Sequence, residues 1–341
     1  MTADRLRVGL VGLGTMGRNH LRNLLARDDV TLVAIADPSV DAREAAAEMA
    51  PAARTFVDIR EAIEEEELDA LIVAVPTMLH HAIAMAAIER RVAVLVEKPI
   101  AASVAEADEL VRAARSRGVL LQVGHIERFN PAVVALGERL REGALSRIFG
   151  IRTVRGGPLP DRIRDVGVAI DLATHDVDLI CHLLGERPVR AYAETTRHVH
   201  TAHEDLLYGL LAFPSGALAQ IDVNWLTPEK QRRITVLGEE GMFQLDLLAQ
   251  TLTFTRGPKD LEPTYLGGFA PTFEGTTVTL PVVSVEPLRL ELDAFLGSVR
   301  SRVAPTVTAE EGRWALSLAK LLLASATQGR PFSVEPSGAH P

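Results

Sequence analysis

The sequence predicts an α/β protein that begins with a doubly wound parallel sheet and continues into an α+β part built on a largely antiparallel sheet. A glycine-rich turn directly follows the first apolar strand, and short apolar strands then alternate with helices as far as residue 124. From residue 147 onward the strands are instead separated by glycine and proline turns. We therefore expect two domains, residues 1–124 and 125–341, with the final helices free to pack back on the first domain.

Length and composition are those of an ordinary globular protein. The 341 residues are 47% hydrophobic and 24% charged, and the formal net charge is −9 with no long basic run. This charge disfavours a nucleic-acid or anionic-membrane partner. The sequence has neither an apolar signal segment at its start nor an apolar run long enough for a membrane helix, and its one cysteine, Cys181, excludes a disulfide framework. We expect a cytoplasmic protein with a small-molecule partner.

A strand over residues 6–10 runs into the turn Gly12-Leu13-Gly14-Thr15-Met16-Gly17 and then into a helix over 18–26. Glycines at these spacings allow a tight turn, close approach of the backbone to a pyrophosphate and close helix–strand packing. The next strand, 31–36, ends at Asp37, whose carboxylate can accept hydrogen bonds from a ribose 2′-hydroxyl and would repel a 2′-phosphate. We expect a Rossmann domain that binds NAD rather than NADP. The expected cofactor residues here are Gly12, Gly14, Thr15, Met16, Gly17 and Asp37.

The strand–helix alternation continues to a run of apolar residues, Val94-Leu95-Val96, that stops at Glu97-Lys98-Pro99. Such a run is typical of a buried parallel strand whose carboxyl end reaches the ligand-binding edge of the sheet. Lys98 is then placed where cofactor and substrate meet, and the alternative is a lysine that ends a strand in solvent. The strand over 70–75 ends in a loop at the same edge, where a surface position is the alternative for His80. The cofactor residues expected from these two strand ends are Pro76, Thr77, His80, Glu97 and Lys98.

The strand over 119–123 ends at Gly124-His125-Ile126-Glu127-Arg128-Phe129-Asn130-Pro131. Part of this segment has a structural explanation, because Asn130 suits an N-cap and Pro131 the first position of a helix. That explanation leaves His125, Glu127 and Arg128 unaccounted for at another strand's carboxyl end. We expect His125, Arg128 and Asn130 to contact substrate.

Asp171 and His175 are four residues apart in a predicted helix over 167–184 and therefore share a face. An imidazole beside a carboxylate suits a general base whose protonated form must be stabilised. One alternative is an exposed helix pair. Another is a metal site formed by Asp171, His175 and His182, which we disfavour because no second cluster of ligands supports it. We therefore expect no metal.

The second domain contains hairpin signals such as Phe213-Pro214-Ser215-Gly216. We expect His198, His200 and His203 to be surface residues. Helices are predicted over 288–302 and 309–327, the latter with apolar residues at core spacing. The predicted strands cover 148–154, 189–197, 205–213, 217–225, 232–237, 242–247, 251–255 and 277–283.

These motifs together resemble the Gfo/Idh/MocA oxidoreductases, which are NAD(P)-dependent sugar and cyclitol dehydrogenases. The resemblance runs from the glycine turn through Glu97-Lys98-Pro99 to Asp171 and His175, and on to the final helix. It implies a second domain with an open, mainly antiparallel sheet used for oligomerisation, and hence a homodimer or homotetramer. It also implies a catalytic set of Lys98, Asp171 and His175, and it allows a cis peptide bond between Lys98 and Pro99.

Residues 124–131 and 157–167 look like the members that oxidise UDP-N-acetylglucosamine at C3. A nucleotide sugar needs its diphosphate neutralised, and guanidinium groups suit phosphate oxygens. Arg155, Arg162 and Arg164 are the candidates, with a surface position as the alternative. Two rival functions stay open. One is a dehydrogenase of myo-inositol or another free polyol, and the other is a non-catalytic NAD-binding regulator, which the intact acid–base set disfavours.

Overall fold

The structure, a computed structural model, describes residues 5–160, 166–200, 202–257, 264–265, 271–272 and 275–335. Contacts divide the chain into two units. The first comprises Met1–Phe129 and Glu286–Ser317, and the second comprises Asn130–Val285 and Leu318–Pro341. The segment Glu286–Ser317 therefore belongs to the unit that contains the glycine-rich turn, although it lies far along the sequence.

Strands and helices follow the predicted order along the described residues. The strands are β1 (Leu6–Val11), β2 (Val30–Ala36), β3 (Arg54–Phe56), β4 (Ala70–Val73), β5 (Ala93–Glu97), β6 (Leu121–Gly124), β7 (Ile148–Pro158), β8 (Arg190–Thr196), β9 (Leu206–Ala212), β10 (Leu218–Asn224), β11 (Leu226–Gly238), β12 (Gly241–Asp246), β13 (Thr251–Arg256), β14 (Thr264–Tyr265), β15 (Pro271–Thr272), β16 (Thr276–Leu280) and β17 (Phe332–Ser333). The α-helices are α1 (Thr15–Leu25), α2 (Val40–Met49), α3 (Ile59–Glu65), α4 (His80–Glu89), α5 (Val104–Arg117), α6 (Pro131–Arg141), α7 (Thr174–Leu184), α8 (Pro287–Ser301) and α9 (Ala309–Gln328).

A six-stranded parallel sheet organises the first unit, in the order β3-β2-β1-β4-β5-β6. The chain order reverses beside β1, as in a doubly wound sheet, and ligands bind at such a reversal. α8 completes the hydrophobic core on one face of this sheet, because Leu292 and Phe295 pack in one cluster with Leu10, Ile35 and Leu95. This explains why the segment that contains α8 returns to the first unit.

The second unit is built on a nine-stranded sheet in the order β16-β13-β12-β11-β7-β10-β9-β8-β17. Its pairs are antiparallel except for β7 with β10. α6 packs on β12 and β13, and α7 packs on β7 and β10. On the other face of the sheet, Tyr208, Leu210 and Leu218 are exposed. Together with the parallel sheet, this arrangement confirms the predicted fold class.

Local signals explain where several helices begin and end. Ser103 and Glu106 form a capping box at the start of α5, and the left-handed Gly118 ends it. Asn130 caps α6 by accepting a hydrogen bond from the Ala132 N–H, with Pro131 at the first position. These features agree with the sequence.

The prediction that His200 is a surface residue is wrong, because His200 is 7% exposed and stacks on Trp225.

Candidate active site

The Gly12–Gly17 turn forms an open cradle before α1. Gly12 has a φ of +90°, and a Cβ at Gly12 or Gly17 would overlap a neighbouring carbonyl oxygen, of Ala74 or Gly12 respectively. Gly14 instead faces open space and precedes α1, whose first N–H groups are not capped by any side chain that the structure describes. Free N–H groups with open space before them suit a pyrophosphate. The residues present therefore fit a dinucleotide.

Asp37 is held beside this cradle by backbone donors on both sides. Its Oδ2 accepts a hydrogen bond from the Leu13 N–H at 2.7 Å, and its Oδ1 accepts one from the Ser39 N–H at 2.8 Å. Each carboxylate oxygen has a second lone pair that can accept from a ribose hydroxyl. Asp37 is thus oriented before any cofactor arrives.

His80 ties the loop after β4 to the turn that carries Lys98. Its Nδ1 lies 2.8 Å from the Pro99 carbonyl oxygen and its Nε2 lies 3.0 Å from the Val75 carbonyl oxygen. The side chain is buried, so the surface-loop alternative is wrong, and burial lowers the pKa of His80. The Lys98–Pro99 peptide is cis. His80 therefore positions the backbone around Lys98, while its contact with cofactor stays a prediction.

Glu97 is a buried carboxylate directly before Lys98. Its Oε1 lies 2.9 Å from Nε2 of the fully buried His20 on α1. Burial alone would raise the pKa of Glu97, but the bond to His20 and the charges of His20 and Lys98 lower it below its usual range. Gly124 leaves room for this side chain, since a Cβ there would stand 3.1 Å from Oε2.

In the second unit, Asp171 and His175 lie on consecutive helical turns. Asp171 belongs to a π-helical turn, Ala169–Ala173, and His175 to the first turn of α7, and both are half-buried. Single π turns inside helices are frequent at functional sites. Glu204 holds the start of this turn, because its Oε1 accepts from the Ala169 N–H at 3.1 Å and its carbonyl oxygen accepts from the Val168 N–H at 3.1 Å.

The alternative for Asp171 and His175 is a metal site with His182. Among the residues that the structure describes, no group of three or more His, Cys, Asp or Glu side chains is arranged to hold a metal ion. The expectation of no metal stays a prediction. Beside Asp171 and His175, Asp176 of α7 pairs with Arg155 of β7 at 3.0 Å, and both are buried. Arg155, one candidate for a phosphate, is therefore already bonded to a carboxylate. The other two candidates, Arg162 and Arg164, lie outside the described residues.

The other predicted substrate residues are buried and have partners within their own units. Arg128 donates to Glu311 Oε1 at 2.7 Å. Asn130 caps α6 and donates from Nδ2 to the Leu247 carbonyl oxygen at 3.0 Å. His125 is also buried. Their contact with substrate stays a prediction, as do the cofactor contacts of the exposed Thr15, the half-buried Met16, the exposed Pro76 and the half-buried Thr77.

Sequence reasoning missed three carboxyl or imidazole groups: His20, Glu204 and Glu291. The sequence around His20 and Glu291 could have indicated a buried polar group, because each is a titratable residue at a core position of a helix. His20 precedes the buried Leu21, and Glu291 lies between the buried Leu288 and Leu292. Glu204 had no such signal, since it acts on a helix distant in sequence.

Family models match both parts of the chain. Residues 6–125 match the Gfo/Idh/MocA model described as an oxidoreductase family with an NAD-binding Rossmann fold. Residues 133–244 match the C-terminal domain of the same family.

Two relatives of known activity cover much of the chain. The myo-inositol 2-dehydrogenase of Thermotoga maritima is 27% identical over an alignment of 341 positions that covers 97% of this chain and 99% of the relative. The UDP-N-acetylglucosamine 3-dehydrogenase of Acidithiobacillus ferrooxidans is 31% identical over 248 residues, which are 72% of this chain and 76% of the relative. A solved structure of an Acidithiobacillus ferrooxidans UDP-N-acetylglucosamine 3-dehydrogenase superimposes with a TM-score of 0.82 at 25% identity, covering 96% of this chain and 99% of that one.

The matches agree with the geometry of the two units. The glycine cradle and Asp37 lie inside the NAD-binding match, and Asp171 and His175 lie inside the C-terminal match. The enzyme is an oxidoreductase that acts on CH–OH groups of sugars or polyols, with NAD as the family's cofactor. None of the helices in the described ranges combines the length and apolar character that a membrane span requires. The chain belongs to the Gfo/Idh/MocA oxidoreductase family.

Proposed function

We propose that the enzyme oxidises a secondary alcohol of a nucleotide sugar, and that the substrate is UDP-N-acetylglucosamine or a close relative oxidised at C3. The observation that carries the proposal is the pair of half-buried residues Asp171 and His175 on adjoining helical turns, in a chain whose other unit is an NAD-binding domain with Lys98 at a strand end. A chain that only sensed NAD would not need this acid–base pair.

In the proposed mechanism, His175 removes the proton of the substrate hydroxyl, and Lys98 stabilises the developing alkoxide. Asp171 orients His175 or binds a neighbouring hydroxyl. The Gly12–Gly17 cradle and Asp37 would hold NAD, which would supply the acceptor for the hydride of the same carbon. The substrate thus loses one hydride from carbon and one proton from oxygen and becomes a ketone. Acid–base groups placed in this way contribute about a hundred- to ten-thousand-fold to the rate.

The nucleotide-sugar assignment is supported by the Acidithiobacillus ferrooxidans relative, which is 31% identical. Arg162 and Arg164 would neutralise the diphosphate. A free polyol is the second candidate, favoured by the Thermotoga maritima myo-inositol dehydrogenase, which matches along 97% of the chain. Asp37 supports NAD over NADP, because its carboxylate would repel a 2′-phosphate.

We also propose that the enzyme is a homodimer or homotetramer. The support is the exposed face of the nine-stranded sheet, where Tyr208, Leu210 and Leu218 place large apolar side chains in solvent. Such patches mark association surfaces. A cytoplasmic location is supported by the use of a dinucleotide and by the sparse use of cysteine, since the sequence contains only Cys181.

The experiment combines purified enzyme and NAD with UDP-N-acetylglucosamine and follows the absorbance of reduced nicotinamide. Parallel reactions contain myo-inositol, glucose or free N-acetylglucosamine, and 2-oxoglutarate is added to recycle any trapped cofactor. Turnover with the nucleotide sugar alone supports the proposal. Turnover with a free polyol would show that the substrate is a free polyol, and the proposed acid–base mechanism would stay unchanged.

Variants assign the roles within the same assay. Lys98→Met and His175→Asn are each expected to remove most turnover while NAD affinity, measured by fluorescence titration, stays near that of the natural enzyme. His198→Asn changes an exposed histidine of the second unit and is the matched control. A Lys98 or His175 variant with full turnover would exclude that residue from the mechanism.

A further inference from the structure

Glu291 is a carboxyl group enclosed in the core of the first unit. It is 0% exposed, and neither of its oxygens has a hydrogen-bond partner among the residues that the structure describes. Its neighbours along α8, Leu288, Leu292 and Phe295, are core residues. An isolated carboxylate in such a position is strongly disfavoured, whereas a neutral carboxylic acid is tolerated. The mechanism above gives Glu291 no role.

The strand register and the core packing place α8, the helix that carries Glu291, over the face of the sheet that carries Glu97. Paired residues of neighbouring parallel strands point to the same side of the sheet, so Gln122 lies on the face of Leu95, and Gly124 on the face of Glu97. Leu95 and Glu97 share one face because they are two residues apart. Leu95 packs in one cluster with Leu292 and Phe295, so α8 covers this face.

Several polar atoms on this covered face have no hydrogen-bond partner among the described residues. They are His20 Nδ1, both amide atoms of Gln122 and both oxygens of Glu291. Buried polar groups of this kind are usually bridged by ordered water. The face therefore combines a hydrophobic core with a small buried polar cluster, His20, Glu97, Gln122 and Glu291, and Glu97 directly precedes Lys98 in the chain.

The pKa values of the two carboxyl groups of the cluster shift in opposite directions. Burial, and then the negative charge of Glu97, raise the pKa of Glu291 well above its usual range. The pKa of Glu97 is lowered, because His20 and Lys98 offset its burial. α8 also packs against α1 and the 126–129 turn. The charged or titratable groups on α1 are Arg18, His20 and Arg22, which pairs with Glu286, and Arg27 just after α1 pairs with Asp293. Those on the 126–129 turn are Glu127 and Arg128, which pairs with Glu311.

We propose that Glu291 is a positioning residue for Lys98: as a neutral acid it packs behind Glu97, and its ionisation sets two like charges together and displaces the Glu97–Lys98 segment. The catalytic consequence rests on the proposed function, whereas the displacement itself does not. The acid supplies an O–H donor that reaches the acceptor-only Glu97 carboxylate through a buried water. Lys98 is then correctly placed only while Glu291 keeps its proton.

The first test compares the natural enzyme with Glu291→Gln, which keeps the shape and fixes the neutral form. Because the pKa of Glu291 is higher in the folded than in the unfolded chain, its stabilising effect is complete below the unfolded pKa and is lost as pH rises toward the folded one. The unfolding equilibrium constant of the natural enzyme, relative to Glu291→Gln, should therefore rise by up to about tenfold per pH unit in that interval. The exposed Glu138→Gln is the matched control and should show no such trend.

The second test follows Lys98 itself. Its rate of acylation, read by peptide mass spectrometry, should differ between the natural enzyme and Glu291→Gln at alkaline pH and agree near neutral pH. The alkaline loss of kcat should likewise move to higher pH in Glu291→Gln, with NAD affinity unchanged. If the stability of the natural enzyme and of Glu291→Gln depended on pH in the same way, Glu291 would not be a neutral acid in the folded chain. If Lys98 were labelled at the same rate in both proteins at alkaline pH, Glu291 would have no positioning role. If no sugar is turned over, the proposed function fails while stability and labelling still decide this proposal.

Discussion

Arg155 on β7 donates from Nε to Oδ2 of Asp176 on α7 at 3.0 Å, and the two side chains are 3% and 2% exposed. The bond fixes the helix next to His175 against the sheet. Two charges removed from water are stable only as a pair, because either one alone would keep its full desolvation penalty. The pair therefore contributes more to the geometry of α7 than to net stability.

Removing one charge of the Arg155–Asp176 pair should lower the free energy of unfolding far more than removing both. Asp176→Leu or Arg155→Met alone is expected to lower the free energy of unfolding by about 3–5 kcal/mol, because each leaves a buried charge. The double variant Arg155→Met with Asp176→Leu should lose less than either single variant. Urea denaturation of the four proteins measures the coupling, and additive losses would contradict a buried ion pair.

Alanine substitutions at two glycines of the cofactor turn should have different effects, one on stability and the other on NAD affinity. Gly17→Ala places a methyl group against the Gly12 carbonyl oxygen and should cost about 2 kcal/mol or more of stability. Gly14→Ala has open space and a backbone conformation that alanine adopts, so it should fold normally. Its methyl group would meet the pyrophosphate and weaken NAD binding by about tenfold or more. Thermal melting and fluorescence titration check both, and normal NAD affinity in Gly14→Ala would argue against this cradle.

Much of the first unit could be predicted because the determining contacts are close in sequence. The glycine turn depends on a few neighbouring residues, and so does the Asn130–Pro131 helix start of the second unit. The parallel and antiparallel sheets followed from strand spacing in the same way. Asp37 could be placed beside the turn because the strand order of a Rossmann domain is itself predictable.

The rest depends on contacts that no local pattern encodes. Glu97 meets His20 of α1, and its charge raises the pKa of Glu291 only because α8 returns to the first unit. Arg155 had the sequence context of a phosphate ligand, but its burial against Asp176 is decided by how α7 packs on β7. Hydrophobic patterning selects which face of a helix is buried, and it leaves the partner of each buried polar group unspecified.

Glu204 should affect catalysis through the π-helical turn that carries Asp171. A Cβ on Gly167 would overlap the Glu204 carboxylate, so Gly167→Ala and Glu204→Ala should both free the Ala169 N–H. Each is expected to lower kcat about ten- to a hundredfold, since small misplacements of catalytic groups are costly. The two effects should not add in the double variant, because both act through one contact. Gly297→Ala, which has open space on α8, is the control, and additive losses would argue for separate causes.

The open sheet face should hold the subunits together. Tyr208 and Leu210 on β9 and Leu218 on β10 lie on one face, because the register pairs Leu210 with Gln220 and Leu218 with Ala212. Each is more than half exposed in the single chain. Burying a leucine at an interface contributes about 1.5–3 kcal/mol, and a twofold axis uses it twice.

Leu210→Asp should therefore weaken self-association by about a hundredfold or more without unfolding the chain, because the side chain packs against no core. The control is Met49→Asp, which changes an exposed apolar side chain at the end of α2 in the first unit and should leave the oligomer intact. Sedimentation velocity over a range of protein concentrations measures both. If Leu210→Asp kept the natural mass at every concentration, the subunits would have to meet elsewhere. A purely monomeric natural enzyme would leave these apolar side chains without an association role.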